Sequence, residues 1–192
     1  MGRFLRTAAW TAAALAVGVA SSSPRGREID ETLLKAMNAE RGPASDAAFA
    51  AVTELGALAA SGTAAVVLAA AGHRRAAARG AAAAGTAWLV GQGLKKLWDR
   101  PRPYHADPDG TRLLIGRPVA TSWPSSHPMV LSAFSTVASR ELGLGNGVRA
   151  CLGALSITVG VSRSALGVHY PSDVAGGLLL GRAVGSAISS RP

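Results

Sequence analysis

The strongest constraint on this chain is that its apolar residues are gathered into long blocks while its charges are confined to the connections between them. Blocks at roughly 47–72, 76–97, 128–142, 148–162 and 174–188 consist mostly of Ala, Gly, Val and Leu, and a shorter one runs from Thr7 to Ala20. The chain is 48% hydrophobic but only 5% aromatic, so the apolar content is small side chains. A soluble core made chiefly of Ala and Gly buries little area per residue, whereas helices in lipid use small residues to bring their backbones close together. The pattern predicts an all-α, polytopic membrane helix bundle of about six helices. Several blocks fall short of the roughly 20 residues a spanning helix needs, so each is expected to extend into its polar flanks.

Residues 1–26 combine a basic start with a short apolar stretch and fit a signal-like segment nearly as well as a first membrane helix. The polytopic character of the rest favours an uncleaved helix. In Arg27–Glu40, Ile29, Leu33, Leu34 and Met37 recur at helical spacing, which predicts a short amphipathic helix at an interface. Lys and Arg in short connections set orientation. Arg3, Arg6, His73, Arg74, Arg75, Arg79, Arg140, Arg149, Arg182 and Arg191 then share the cytoplasmic side, and the connections 21–46, 98–127 and 163–173 face outward. Against this, the 98–127 connection is itself basic.

The net charge of +9 admits nucleic acid, anionic lipid or phosphorylated substrates as partners. No nucleic-acid motif is present, which leaves the membrane bilayer and a phosphorylated substrate. The one cysteine, Cys151, permits neither an intramolecular disulfide nor a cysteine metal site.

Three polar stretches interrupt the apolar pattern: KKLWDRPRP at 95–103, WPSSHP at 123–128 and SRSALGVHYPSD at 162–173. Alternating spans bring all three to one membrane face. Their inventory of cations, two histidines and a carboxylate suits a phosphate dianion. Arginine offers a planar fork for paired charge-assisted hydrogen bonds, and lysine adds a compact charge. One neutral histidine can attack phosphorus while the other, protonated, gives a proton to the departing oxygen. Pro128 places Ser125 to His127 at a helix start, with backbone N–H groups available to an anion. Pro171-Ser172 marks the start of the last helix, with Ser172 as the expected cap.

The arrangement Lys95, six residues, Arg102-Pro103; Pro124-Ser125-Ser126-His127; and Ser162-Arg163, five residues, His169, three residues, Asp173 resembles the three-part signature of the type 2 phosphatidic acid phosphatase (PAP2) superfamily. The likeness covers about residues 76–190, within a domain expected to run from 27 to 192. It implies a membrane-bound lipid phosphate phosphatase with its site on the extracytoplasmic side of a multi-pass fold. Its substrate would be a polyprenyl diphosphate, a polyprenyl phosphosugar or a phosphatidate-type lipid. By the same resemblance His169 is the nucleophile that forms a phosphohistidine, His127 the general acid and Asp173 the partner of His169. Lys95, Arg102, Arg163, Ser125 and the backbone at Ser126 hold the phosphate, and no metal or other cofactor takes part. One position departs: Ser126 stands where the family usually has Gly, which would add strain if a positive φ were required.

Two other readings follow from the same residues, a vanadate-dependent haloperoxidase-like enzyme and a catalytically silent membrane protein that binds lipid phosphate. Arg100 and Lys96 are secondary candidates for a headgroup or second phosphate. His73, His105, Asp107 and Asp109 read as solvated loop residues, Glu54 as an interfacial charge, Trp98 and Trp123 as a membrane-boundary belt, and Trp88 as a packing residue.

Overall fold

The computed structural model describes residues 2–189, and Arg191, one of the cations expected at the cytoplasmic side, lies outside them. Each apolar block forms helix. The elements are α1 (Arg3–Ser22), α2 (Pro24–Met37), α3 (Pro43–Thr53), α4 (Leu58–Ala70), α5 (Arg74–Leu97), α6 (Pro103–Ala106), α7 (Ser126–Glu141), α8 (Asn146–Ala165) and α9 (Pro171–Ile188), with no strand among the described residues.

Helix α7 is the axis of the bundle, with α4, α5, α8 and α9 packed around it and α1 against α9. The small residues make this possible. On α9, Gly177, Gly181 and Gly185 recur every fourth residue, and a Cβ on Gly177 or Gly181 would fall 2.3 or 2.4 Å from the carbonyl oxygen of Ser125 or Met129 on α7. Backbone meets backbone there, so Ala at these positions would force the helices apart. The main apolar cluster joins Ala14 of α1, Ala83 and Ala87 of α5, Met129, Ala133 and Val137 of α7, and Leu180 of α9 around Trp123.

Four expectations change. The block 47–72 is not one helix: a 3-10 turn at Glu54–Gly56 separates α3 from α4, which meet at 60°. Trp123 is fully buried, with its ring 4.5 Å from that of Trp98, while Trp88 is 39% exposed, so the core and surface roles of Trp123 and Trp88 are exchanged. The last helix is capped by Tyr170 rather than Ser172, whose hydroxyl bonds Asp30 instead. Helix α2 turns Asp30 and Leu34 inward but leaves Ile29 and Leu33 about half exposed, so its buried face carries an acid.

By length and hydropathy, α1 alone passes as a membrane span among the described residues, or two spans if the bent α3–α4 pair is counted as one. Helices α5, α8 and α9 carry charged residues and many Gly, which lower their apolar content.

Candidate active site

The three polar stretches converge at one end of the bundle. Lys95 ends α5, His127 lies in the first turn of α7, Arg163 ends α8, and His169 and Asp173 flank the start of α9, with Arg102 just before α6. Lys95, Arg102, Arg163, His169 and Asp173 are all buried, and each carries a charge or a titratable ring. Such groups are costly to bury unless they are paired or held for chemistry.

His169 is oriented from both sides. Its Nδ1 lies 3.5 Å from Asp173 Oδ2, somewhat beyond a hydrogen bond, and its Nε2 lies 3.1 Å from Arg102 Nη1. A guanidinium only donates, so Nε2 must be the unprotonated nitrogen and the ring proton sits on Nδ1, facing the carboxylate. Burial and the nearby charges of Arg102, Lys95 and Arg163 hold its pKa well below the usual histidine value, which keeps the ring neutral. The lone pair of a neutral imidazole is thereby aimed at the cation cluster.

The cations are fixed by backbone carbonyls. Lys95 Nζ donates to Thr121 O at 2.8 Å and Ser122 O at 3.2 Å, and Arg102 donates to Ala120 O at 2.6 Å and Val168 O at 2.8 Å. The last residues of the connection 107–125 therefore form the cradle that holds these two cations. His127 faces the positive field of Arg163, Arg102 and Lys95. The Ser125 and Ser126 hydroxyls are buried without a partner among the described residues, whereas the Ser125 N–H is already used, donating to Asp173 O at 3.0 Å. Ser126 sits inside α7, and no non-glycine residue described has a positive φ, so serine introduces no backbone strain there.

This arrangement agrees with what the sequence comparison finds: the PAP2 superfamily model matches residues 75–191, more than half of the chain. The chain belongs to the PAP2 superfamily. It is similar to decaprenylphosphoryl-5-phosphoribose phosphatase of Mycobacterium tuberculosis, at 36% identity over 97 residues covering 50% of each protein. The chain thus matches about half the length of that relative. Among solved structures, its fold is that of the transmembrane PAP2 type phosphatidylglycerolphosphate phosphatase from Bacillus subtilis, with TM-score 0.81, 24% identity, and 95% of this chain and 94% of that one covered. It is also similar to Aquifex aeolicus LpxE, with TM-score 0.72, 25% identity, and coverage of 80% and 90%.

Four contributors to this PAP2 site carry no signature in the sequence, and a fifth residue, Arg100, has a different role from the one expected. Arg100 is not free to meet a headgroup: it donates to Asp173 Oδ1 and to Asp30 Oδ2, both at 2.7 Å, and lies over the Tyr170 ring at 4.3 Å. Asp30 of α2, 3% exposed, also accepts from the Ser172 N–H at 2.9 Å. Ser122 donates to the other Asp173 oxygen, which the Tyr170 N–H also reaches at 2.8 Å. The α3–α4 break supplies the rest. Thr53 Oγ1 lies 3.0 Å from Arg163 Nη1, and Gly56 packs so closely that a Cβ would fall 2.8 Å from that of His127. No motif flags Asp30, Ser122, Thr53 or Gly56; only the break residue Gly56 carries a local signal, its low helix propensity. His73, His105, Asp107, Asp109 and Glu54 are exposed, as expected of solvated or interfacial residues, and Lys96 is exposed beside the buried Lys95.

Proposed function

We propose that this chain is a membrane-bound phosphatase that removes a terminal phosphate from a lipid. His169 Nε2 attacks phosphorus and forms a P–N bond as the bond from phosphorus to the lipid oxygen breaks. With the substrate phosphate offsetting the surrounding cations, His127 is protonated and gives that proton to the departing oxygen, releasing the lipid alcohol or the shortened phosphate. Water then attacks the phosphohistidine, losing its proton to His127, and inorganic phosphate departs. Lys95, Arg102 and Arg163 offset the charge on the phosphoryl oxygens, with Ser125 and Ser126 assisting. Asp173 offsets the charge the imidazole gains while it carries the phosphoryl group.

The observation that carries this reading is His169 itself: a buried neutral ring with Arg102 on Nε2 and Asp173 beside Nδ1. A haloperoxidase would draw on nearly the same residues, but the Mycobacterium relative and the Bacillus neighbour bear phosphatase names, which favours phosphoryl transfer. Similarity to the Mycobacterium relative supports taking a polyprenyl phosphosugar as the first candidate substrate, ahead of polyprenyl diphosphates and phosphatidate-type lipids. The site faces the extracytoplasmic side of a six-span fold in which α3–α4 counts as one bent span. The lipid tail then lies in the bilayer while its head enters the cationic pocket.

The test is phosphate release by detergent-solubilised protein, with EDTA present, across those three lipid classes and beside His169→Ala. Release that the variant loses supports the reading. Turnover that survives in the variant removes His169 as nucleophile.

A further inference from the structure

A second cation cluster lies at the other end of the bundle. Arg140 ends α7 and Arg149 lies near the start of α8, while Arg182 follows on α9 and Arg6 on α1. Thirteen helical residues separate His127 from Arg140, about 20 Å at 1.5 Å per residue, so these charges do not belong to the catalytic pocket. Arg140 nevertheless feels the charges of Arg6, Arg149 and Arg182. Four guanidinium groups on four helices are drawn together, and none forms an ion pair among the described residues. The one carboxylate at this end among the described residues, Glu141, is held by Arg75 and Arg79 on the α5 side.

These charges enclose space. Arg140, Arg149 and Arg182 line a cavity of about 90 Å³ between α7, α8 and α9, together with Thr136 and Ser156. Nitrogens of Arg6, Arg140 and Arg149 are shielded from solvent with no acceptor among the described residues. Gly153 clears room for the Arg182 fork, since a Cβ there would fall 3.0 Å from its Nη2. Positive-inside topology needs only solvated charge in this region and does not need a cavity lined by three arginines. Like charges held together with open donors suit an anion, and arginine forks suit a phosphate-type oxyanion best. The volume is well below the roughly 300–1,000 Å³ of pockets that enclose drug-sized ligands, so it fits one phosphate-sized group.

We propose that Arg140, Arg149 and Arg182, supported by Arg6, form a non-catalytic site for a phosphate-type oxyanion, either a lipid headgroup phosphate or free phosphate. The site stabilises the end of the bundle remote from the chemistry. It stands independently of the phosphatase reading.

The test compares the full chain with Arg149→Gln/Arg182→Gln and Arg149→Lys/Arg182→Lys, following thermal unfolding in nanodiscs. One arm titrates inorganic phosphate in phosphatidylcholine discs, and the other replaces phosphatidylcholine by phosphatidylglycerol without phosphate. Binding at the catalytic pocket is common to all three chains and cancels in the difference. At about 100-fold excess over its Kd the ligand should raise the wild-type Tm by roughly 5 °C more than that of the Gln chain. The Lys chain should recover less than half of the gain, because a point charge cannot replace the fork. A gain in the phosphatidylglycerol arm identifies the lipid as the source, and a gain only in the phosphate arm identifies the free anion. Equal shifts in wild type and Gln chain in both arms overturn the proposal, as does full recovery by Lys, which would reduce the cluster to non-specific charge. If the Gln pair does not fold, Arg149→Gln alone is read against Arg149→Lys in the same arms.

Discussion

Arg100→Gln tests whether Asp173, the proposed partner of His169, must be held from behind. The arginine side chain is 11% exposed and bridges two carboxylates, Asp30 and Asp173, that are 4% and 0% exposed. Its removal leaves two buried anions facing one another. Breaking a buried pair of this kind costs about 3–5 kcal/mol of stability. The catalytic effect is separate, since Asp173 must point at His169 Nδ1 from 3.5 Å when the ring becomes positive. Losing about 1.4–2.8 kcal/mol of that oriented interaction lowers kcat roughly 10- to 100-fold. The contacts expected of phosphate, Lys95, Arg102 and Arg163, are untouched, so KM should change less than about threefold. Steady-state phosphate release at a temperature where the variant is folded measures both quantities. An intact kcat with a raised KM would mean that Arg100 touches substrate after all. A faster variant would show that its positive charge weakens the pull of Asp173 on the imidazolium more than its hydrogen bond helps. Asp30→Asn should give the same pattern in milder form, because Arg100 then keeps Asp173 but loses its anchor on α2.

Three further outcomes are expected. Arg163→Lys should reduce kcat/KM by about 100-fold or more, because a point charge cannot reproduce the paired fork; phosphate release measures it, and near-normal activity would remove Arg163 from the phosphate contacts. Thr53→Val should raise KM several-fold with a smaller change in kcat, since it frees the Arg163 guanidinium from its 3.0 Å partner; an unchanged KM would assign Thr53 to packing. The depressed pKa of His169 gives stability a pH sign: the unfolded chain takes up a proton near pH 6.5 while the folded one resists it. The contribution is complete above that value and falls by up to about 1.4 kcal/mol per unit as pH drops below it. His169→Gln should flatten that part of a Tm profile between pH 7.5 and 5.

The legible part of the site was the part in which chemistry and spacing coincide. Lys95, Arg102, His127, Arg163, His169 and Asp173 each stand at the edge of an apolar block, where a buried charge has to be explained, and the fold brings all six to one end of the bundle. Asp30, Ser122, Thr53 and Gly56 were not legible because each resembles its surroundings. Asp30 is one of several charges on an amphipathic helix, and only the docking of α2 onto the start of α9 decides that it faces inward. Thr53 and Gly56 belong to a block whose composition reads as continuous helix. A glycine costs about 1 kcal/mol there, too little to predict a break. The 3-10 turn is explained by what lies across from it, the close approach of Gly56 to His127 and of Thr53 to Arg163. The same logic exchanged the tryptophans. Trp123 sits in a polar stretch that suggested a membrane boundary, but the glycines at 18 and 176 open a slot that its indole fills. In a bundle built from small residues, the few large side chains go where glycines make room. That assignment depends on pairs of positions far apart in sequence, which no local pattern contains. A Gly176→Ala substitution checks this: its Cβ would fall 2.6 Å from the Trp123 indole nitrogen. The displaced ring carries the 120–125 segment that cradles Lys95 and Arg102, so kcat/KM should fall although no catalytic side chain has changed. Activity equal to wild type would mean that the cradle is held independently of the Trp123 slot.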